Sequence, residues 1–116
     1  MKHIKHSDSR KGDLAEYYAV TWLWDNGYEV FKNTGCTGLI DMIALKDSEV
    51  TLIDVKTYYL RSDRASSSFS AGIGLVPSSP RTEEQKKLGV KLLGFNPKTR
   101  QLKFVDHPDE TYNKKA

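Results

Sequence analysis

The chain has only one cysteine, Cys36, among its 116 residues. No internal disulfide framework can staple it, and a lone thiol suits a reducing cytosol. No apolar run is long enough to span a bilayer. Met1-Lys2-His3-Ile4-Lys5-His6 is basic, yet no hydrophobic segment follows it, so no secretory signal is expected and the location reads as cytoplasmic. Neither sign of charge dominates: the net charge is +3 and the pI is near 8.9, short of a strongly basic nucleic-acid binder. Cys36 with His3, His6 and His107 does not make a zinc set, which needs more ligands at closer intervals. No internal repeat is visible, which argues against a solenoid or array.

What is present points to one globular domain over residues 1–116. The hydrophobic share is 38% and the charged share 28%, both ordinary for such a domain. The cations are gathered rather than spread. Residues 1–11 hold Lys2, Lys5, Arg10 and Lys11 against Asp8, and residues 61–87 hold Arg61, Arg64, Arg81, Lys86 and Lys87 against Asp63, Glu83 and Glu84. Clusters of this kind form either a solvated face or a phosphate-binding footprint. Lys11, Arg61, Arg64 and Arg81 are the candidates for nucleic-acid contact.

Asp8 or Ser9 is placed to cap a helix running to Asn26, with Ala15, Tyr18, Ala19, Trp22 and Leu23 at helical spacing. Asn26-Gly27 ends it. Of its aromatics, Tyr17 and Trp24 are expected to face outward and the others to fill the core. Residues 28–32, 39–45 and 50–58 read as strands, the last two joined by the short turn 46–49 into an antiparallel hairpin. Both hairpin strands are apolar on both faces, as a central sheet position requires. Residues 59–81, rich in serine, glycine and proline, read as a functional or mobile loop. Thr82-Glu83-Glu84-Gln85 is a capping box, opening a short helix to about Leu88, and Gly89 closes it. Residues 90–95 and 101–105 are two further strands, and the tail 106–116 is expected to fray. The order α-β-β-β-α-β-β gives an α/β fold with a central mixed sheet flanked by helices.

One strand carries charge where charge is costly. In Leu52-Ile53-Asp54-Val55-Lys56, alternation puts Asp54 and Lys56 on one face. Burying them needs pairing or a metal. Asp41, on the neighbouring strand, is a second carboxylate if the register sets it beside Asp54. Mg²⁺ prefers a few hard oxygen ligands from protein, with water and phosphate completing its shell. Such an ion activates water and neutralises charge in phosphodiester cleavage, while Lys56 orients water or stabilises the transition state. Glu16 can reach the same site if its helix crosses the sheet. Tyr58 continues the Asp54 face, either toward substrate or as an ordinary strand aromatic.

Lys11-Gly12-Asp13-Leu14-Ala15-Glu16, Gly38-Leu39-Ile40-Asp41 and Asp54-Val55-Lys56 together resemble the PD-(D/E)xK nuclease superfamily. The layout is most similar to small archaeal-type Holliday-junction resolvases and their phage or restriction-related relatives. The resemblance covers roughly residues 10–91 and implies a restriction-endonuclease-like core. It gives Glu16, Asp41 and Asp54 metal-site roles and Lys56 a catalytic one. Gln85 falls where many members place a helix glutamine, so Gln85 and Tyr58 are accessory candidates. Ile40 stands where the motif name has proline, and Asp54 where glutamate is commoner.

The resemblance implies an Mg²⁺-dependent endonuclease, with Mn²⁺ as a substitute, leaving a 5′-phosphate and a 3′-hydroxyl and acting on DNA as a homodimer. So small a domain suits branched or structured DNA recognised through its backbone. One alternative is a homing- or restriction-like endonuclease with sequence preference, its base contacts coming from Arg61, Arg64 and Phe69. Another is a nucleic-acid-binding module without activity, which has no use for buried acids clustered with a lysine.

Overall fold

The computed structural model describes residues 4–35, 38–60, 75–77 and 80–105. The first helix, α1, runs Asp8–Asp25. Its cap is Ser7, one residue before the two that the sequence favoured. Extended at Ser7, the chain lets its hydroxyl accept from the Arg10 amide at 3.2 Å. Ser7, Asp8 and Ser9 are all good caps; at Ser7 the helix gains a residue and keeps Asp8 in its first turn, where the helix dipole favours an acid. Asn26 forms the other end, with Gly27 following at φ 90°.

Strands β1 (Glu29–Lys32) and β2 (Met42–Lys46) lead into the long strand β3 (Glu49–Leu60). Asp47 and Ser48, at φ 53° and 68°, make the two-residue turn of the β2–β3 hairpin. The hairpin register pairs Met42 with Ile53. Beyond Leu60 a short strand β4 (Leu75–Pro77) returns antiparallel against Tyr58, Tyr59 and Leu60. Residues 59–81 are therefore not a single loop, and the element order is α-β-β-β-β-α-β-β. The apolar triplet Leu75-Val76-Pro77 was masked by its glycine- and serine-rich surroundings, and the proline is compatible with a strand only at an edge or end. Arg61, Arg64, the serine run at 66–68 and the tail 106–116 lie outside the described residues.

Helix α2 (Glu83–Leu88) has the expected capping box at Thr82 and a left-handed Gly89 at φ 78°. It carries the chain to β5 (Lys91–Phe95), parallel to β3, and β6 (Leu102–Phe104) returns antiparallel to β5. The sheet order is β1-β2-β3-β5-β6, with β4 joined to β3. The fold is thus α/β with a mixed sheet, and β3 lies at its centre as its apolar faces require.

Alternation along the strands divides the core. Ala19, Val20 and Leu23 of α1 pack on Met42, Ala44, Ile53 and Leu93. Alanines at 15 and 19 let the helix approach the sheet closely. Tyr58, Leu92 and Val105 form a smaller cluster. Gly94 is required there: a Cβ would meet the Tyr58 ring at 2.7 Å. Tyr17 and Trp24 face outward as expected, and Tyr18 also lies at the rim, 40% exposed. Its ring is held between Phe95, at 5.2 Å, and the Arg100 guanidinium, at 5.3 Å. Among the described residues no helix is long and apolar enough to cross a membrane.

Candidate active site

Asp41 sits where β2 begins. The last ladder pair is Met42–Ile53, and the Asp41 backbone N–H donates to the Ile53 carbonyl at 2.8 Å, one residue out of the ladder's register. The Asp41 carboxyl is hydrogen-bonded to that of Asp54 on the neighbouring strand. Asp41 then leaves the ladder with its side chain: Oδ2 accepts from the Val55 N–H at 2.7 Å. A carboxylate thus takes the place of a backbone acceptor and is fixed in direction.

Asp54 is buried, at 6% exposure. Lys56 Nζ lies 3.3 Å from its Oδ2, which also accepts from Gln85 Nε2 at 3.1 Å. Two donors therefore meet one buried oxygen. The pair of acids is expensive even so. Burial pushes Asp41 up to about 7 from 3.8, helped by its hydrogen bond to Asp54 and by the charges of Asp54 and Glu16, while the Val55 N–H pulls the other way. Adjacent carboxylates that resist joint ionisation are a natural seat for a divalent cation.

Gln85 caps its helix and also reaches Asp54. Its amide and Oε1 complete the capping box with Thr82, at 3.1 and 3.0 Å. Its Nε2 donates to the Leu39 carbonyl at 2.8 Å as well as to Asp54. The buried side chain ties α2, the segment entering β2 and the central strand together.

Glu16 is oriented differently from the other acids. Its Oε1 is 2.8 Å from Lys32 Nζ, the last residue of β1, and this pairing raises Lys32 above the ordinary lysine value. Its charge still reaches Asp41. Among the described residues no group of three or more His, Cys, Asp or Glu side chains is close enough to hold a metal together. Asp41 and Asp54 are the two acids that could hold a divalent ion together, and a site with so few protein oxygens would leave the rest of its shell to water and phosphate.

The outlying candidates fall elsewhere. Tyr58 is 4% exposed and packs over Gly94, so its ring belongs to the core. Arg81 donates to the Val90 carbonyl at 3.1 Å, bracing the start of α2. Lys11 is exposed, 3.9 Å from Asp8. Sequence reasoning passed over Lys32, whose only signal was its place at the end of the first strand.

No protein-family model matches the chain, and no curated protein matches it in sequence. Among solved structures it is similar to a bacterial homing endonuclease, I-Ssp6803I, at a TM-score of 0.60 and 16% identity. The match covers 85% of this chain and 65% of that one, so this chain spans under two thirds of the neighbour's length. What the two share is the fold, an α/β core of the restriction-endonuclease-like kind with a mixed sheet.

Proposed function

We propose that this chain is a metal-dependent endonuclease that hydrolyses phosphodiester bonds in DNA. The observation that carries the reading is the meeting of the Asp41 and Asp54 carboxyls, with Lys56, on the same strand as Asp54, 3.3 Å from it. Asp41 and Asp54 would hold Mg²⁺, or Mn²⁺ in its place. When bound, the ion lowers the pKa of water and offsets charge on the phosphate.

The protein's own residues do the rest. The Val55 N–H and Gln85 fix the directions of Asp41 and Asp54. Lys56, part exposed and anchored on Asp54, presents a cation to a phosphate oxygen as negative charge builds there, and can orient the attacking water. A pure binding module has no need of two acids forced together at a half-buried position beside a lysine.

The motif resemblance supports branched or structured DNA as substrate and a homodimer as the working form. The likeness to a homing endonuclease supports a second reading, a sequence-preferring cut in duplex DNA. The test offers purified protein four-way junction, flapped, linear duplex and single-stranded DNA with Mg²⁺, Mn²⁺ or EDTA. Junction preference selects the first substrate class and one preferred duplex sequence the second. No cleavage with either metal, or equal cleavage by Asp54→Ala and Lys56→Ala, removes the catalytic reading.

A further inference from the structure

Lys32 belongs to none of the motifs, yet the structure builds it into the neighbourhood of the paired acids. Its Cα partner across the β1–β2 ladder is Met42, the residue after Asp41. The next residue, Asn33, donates its backbone N–H to the Asp41 carbonyl and its side-chain Nδ2 to the Ile40 carbonyl, both at 2.9 Å. The end of β1 is therefore strapped to the segment that carries Asp41. From that fixed point Lys32 Nζ reaches Glu16 at 2.8 Å and lies 5.5 Å from the centre of the Tyr17 ring. The Lys32 and Glu16 side chains are part exposed, at 38% and 27%.

The electrostatic consequence is specific. Left unpaired, Glu16 would add a third negative charge beside Asp41 and Asp54 and a further oxygen for an ion. Paired to Lys32, its charge is partly offset and one of its oxygens is held by the lysine. We propose that Lys32 is a positioning residue that sets metal affinity: it keeps Glu16 beside the Asp41–Asp54 pair rather than among the ligands. The site then has two protein carboxylates and holds a divalent ion weakly until a phosphate supplies more oxygens, which couples metal loading to substrate. This rests on the reading of Asp41 and Asp54 as the metal-holding pair.

The test is Mn²⁺ binding to the full chain without DNA, by calorimetry at low salt, on wild type, Lys32→Met, Lys32→Arg, Glu16→Gln, the Lys32→Met/Glu16→Gln double variant and Asp54→Asn. Removing one nearby cation should tighten binding of a divalent ion about fivefold or more at low salt, and the gain should shrink as salt screens it. Lys32→Arg should keep the wild-type affinity, and the double variant should lose most of the gain of Lys32→Met. These two readouts separate repositioning of Glu16 from a general loosening of β1. Equal or weaker binding by Lys32→Met, or a gain that survives in the double variant, overturns the role of Lys32 while Asp54-dependent binding by wild type keeps the site itself. Wild-type binding that Asp54→Asn leaves intact, or no binding by any of the proteins, Lys32→Met included, overturns both.

Discussion

Replacing Asp41 by asparagine should stabilise the metal-free protein at neutral pH and flatten its dependence on pH. Asparagine keeps an oxygen for the Val55 N–H and a donor for Asp54, and removes the charge that the site resists. The sign follows from the raised pKa. In the unfolded chain Asp41 ionises near 3.8, and in the fold it keeps its proton until about 7. The folded state binds more protons between those values, so the stabilising contribution is complete below pH 4 and is lost as pH climbs toward 7. Fully expressed, that displacement corresponds to roughly 4 kcal/mol. Asp41 is only part buried, and solvent screening reduces the figure to about 1–2 kcal/mol. For a domain of this size that is a rise in Tm of roughly 5 °C at pH 8 in EDTA. Thermal or urea melts of both proteins at several pH values between 4 and 8 measure it. Curves that stay parallel across the range would refute the argument, since they would mean that Asp41 ionises in the fold as it does in the unfolded chain.

The rest of the structure makes further expectations. Gly94→Ala should cost about 1–3 kcal/mol by pushing a methyl into the Tyr58 ring, and Tyr58→Leu in the same chain should recover part of it in a denaturation double-mutant cycle. Thr82→Ala should cost about 1 kcal/mol as a lost helix cap, with Mn²⁺ affinity little changed. Gln85→Ala should cost about 1–3 kcal/mol, because the Leu39 carbonyl and the Thr82 amide lose a partner, and it should also weaken Mn²⁺ binding through Asp54. Equal effects of these two variants on metal affinity would reduce Gln85 to a cap. Lys56→Met should lower the single-turnover cleavage rate by about 10²–10⁴ without impairing metal binding, while loss of both together would assign Lys56 to the architecture of the site instead.

Asp54 and Lys56 were legible because charge inside an apolar strand has few physical explanations, and alternation alone fixed their shared face. Asp41 was legible only as far as the hairpin, made by the turn at Asp47-Ser48; the step out of register that brings its carboxyl to Asp54 and to the Val55 N–H has no mark in the sequence. Helix α2 was marked by its own capping box. Where several signals overlapped the sequence was less decisive: Ser7, Asp8 and Ser9 compete as caps, and β4 is three residues long and hidden by its neighbours. Lys32 and the second hydrogen bond of Gln85 were out of reach, because both depend on partners brought from distant segments. Glu16 shows the limit most clearly. Its place in the motif indicates the neighbourhood of the site, but only the position of β1 shows that its nearest partner is a lysine.

Cleavage of supercoiled DNA by wild type and Asp54→Asn, at equal protein concentration, with Mg²⁺ and with EDTA, tests the catalytic reading most directly. Wild type should nick or linearise the DNA only with Mg²⁺, and Asp54→Asn, which should melt as a folded protein, should lose about two orders of magnitude or more in rate. Cleavage that persists in EDTA, or that Asp54→Asn retains in full, would contradict that reading.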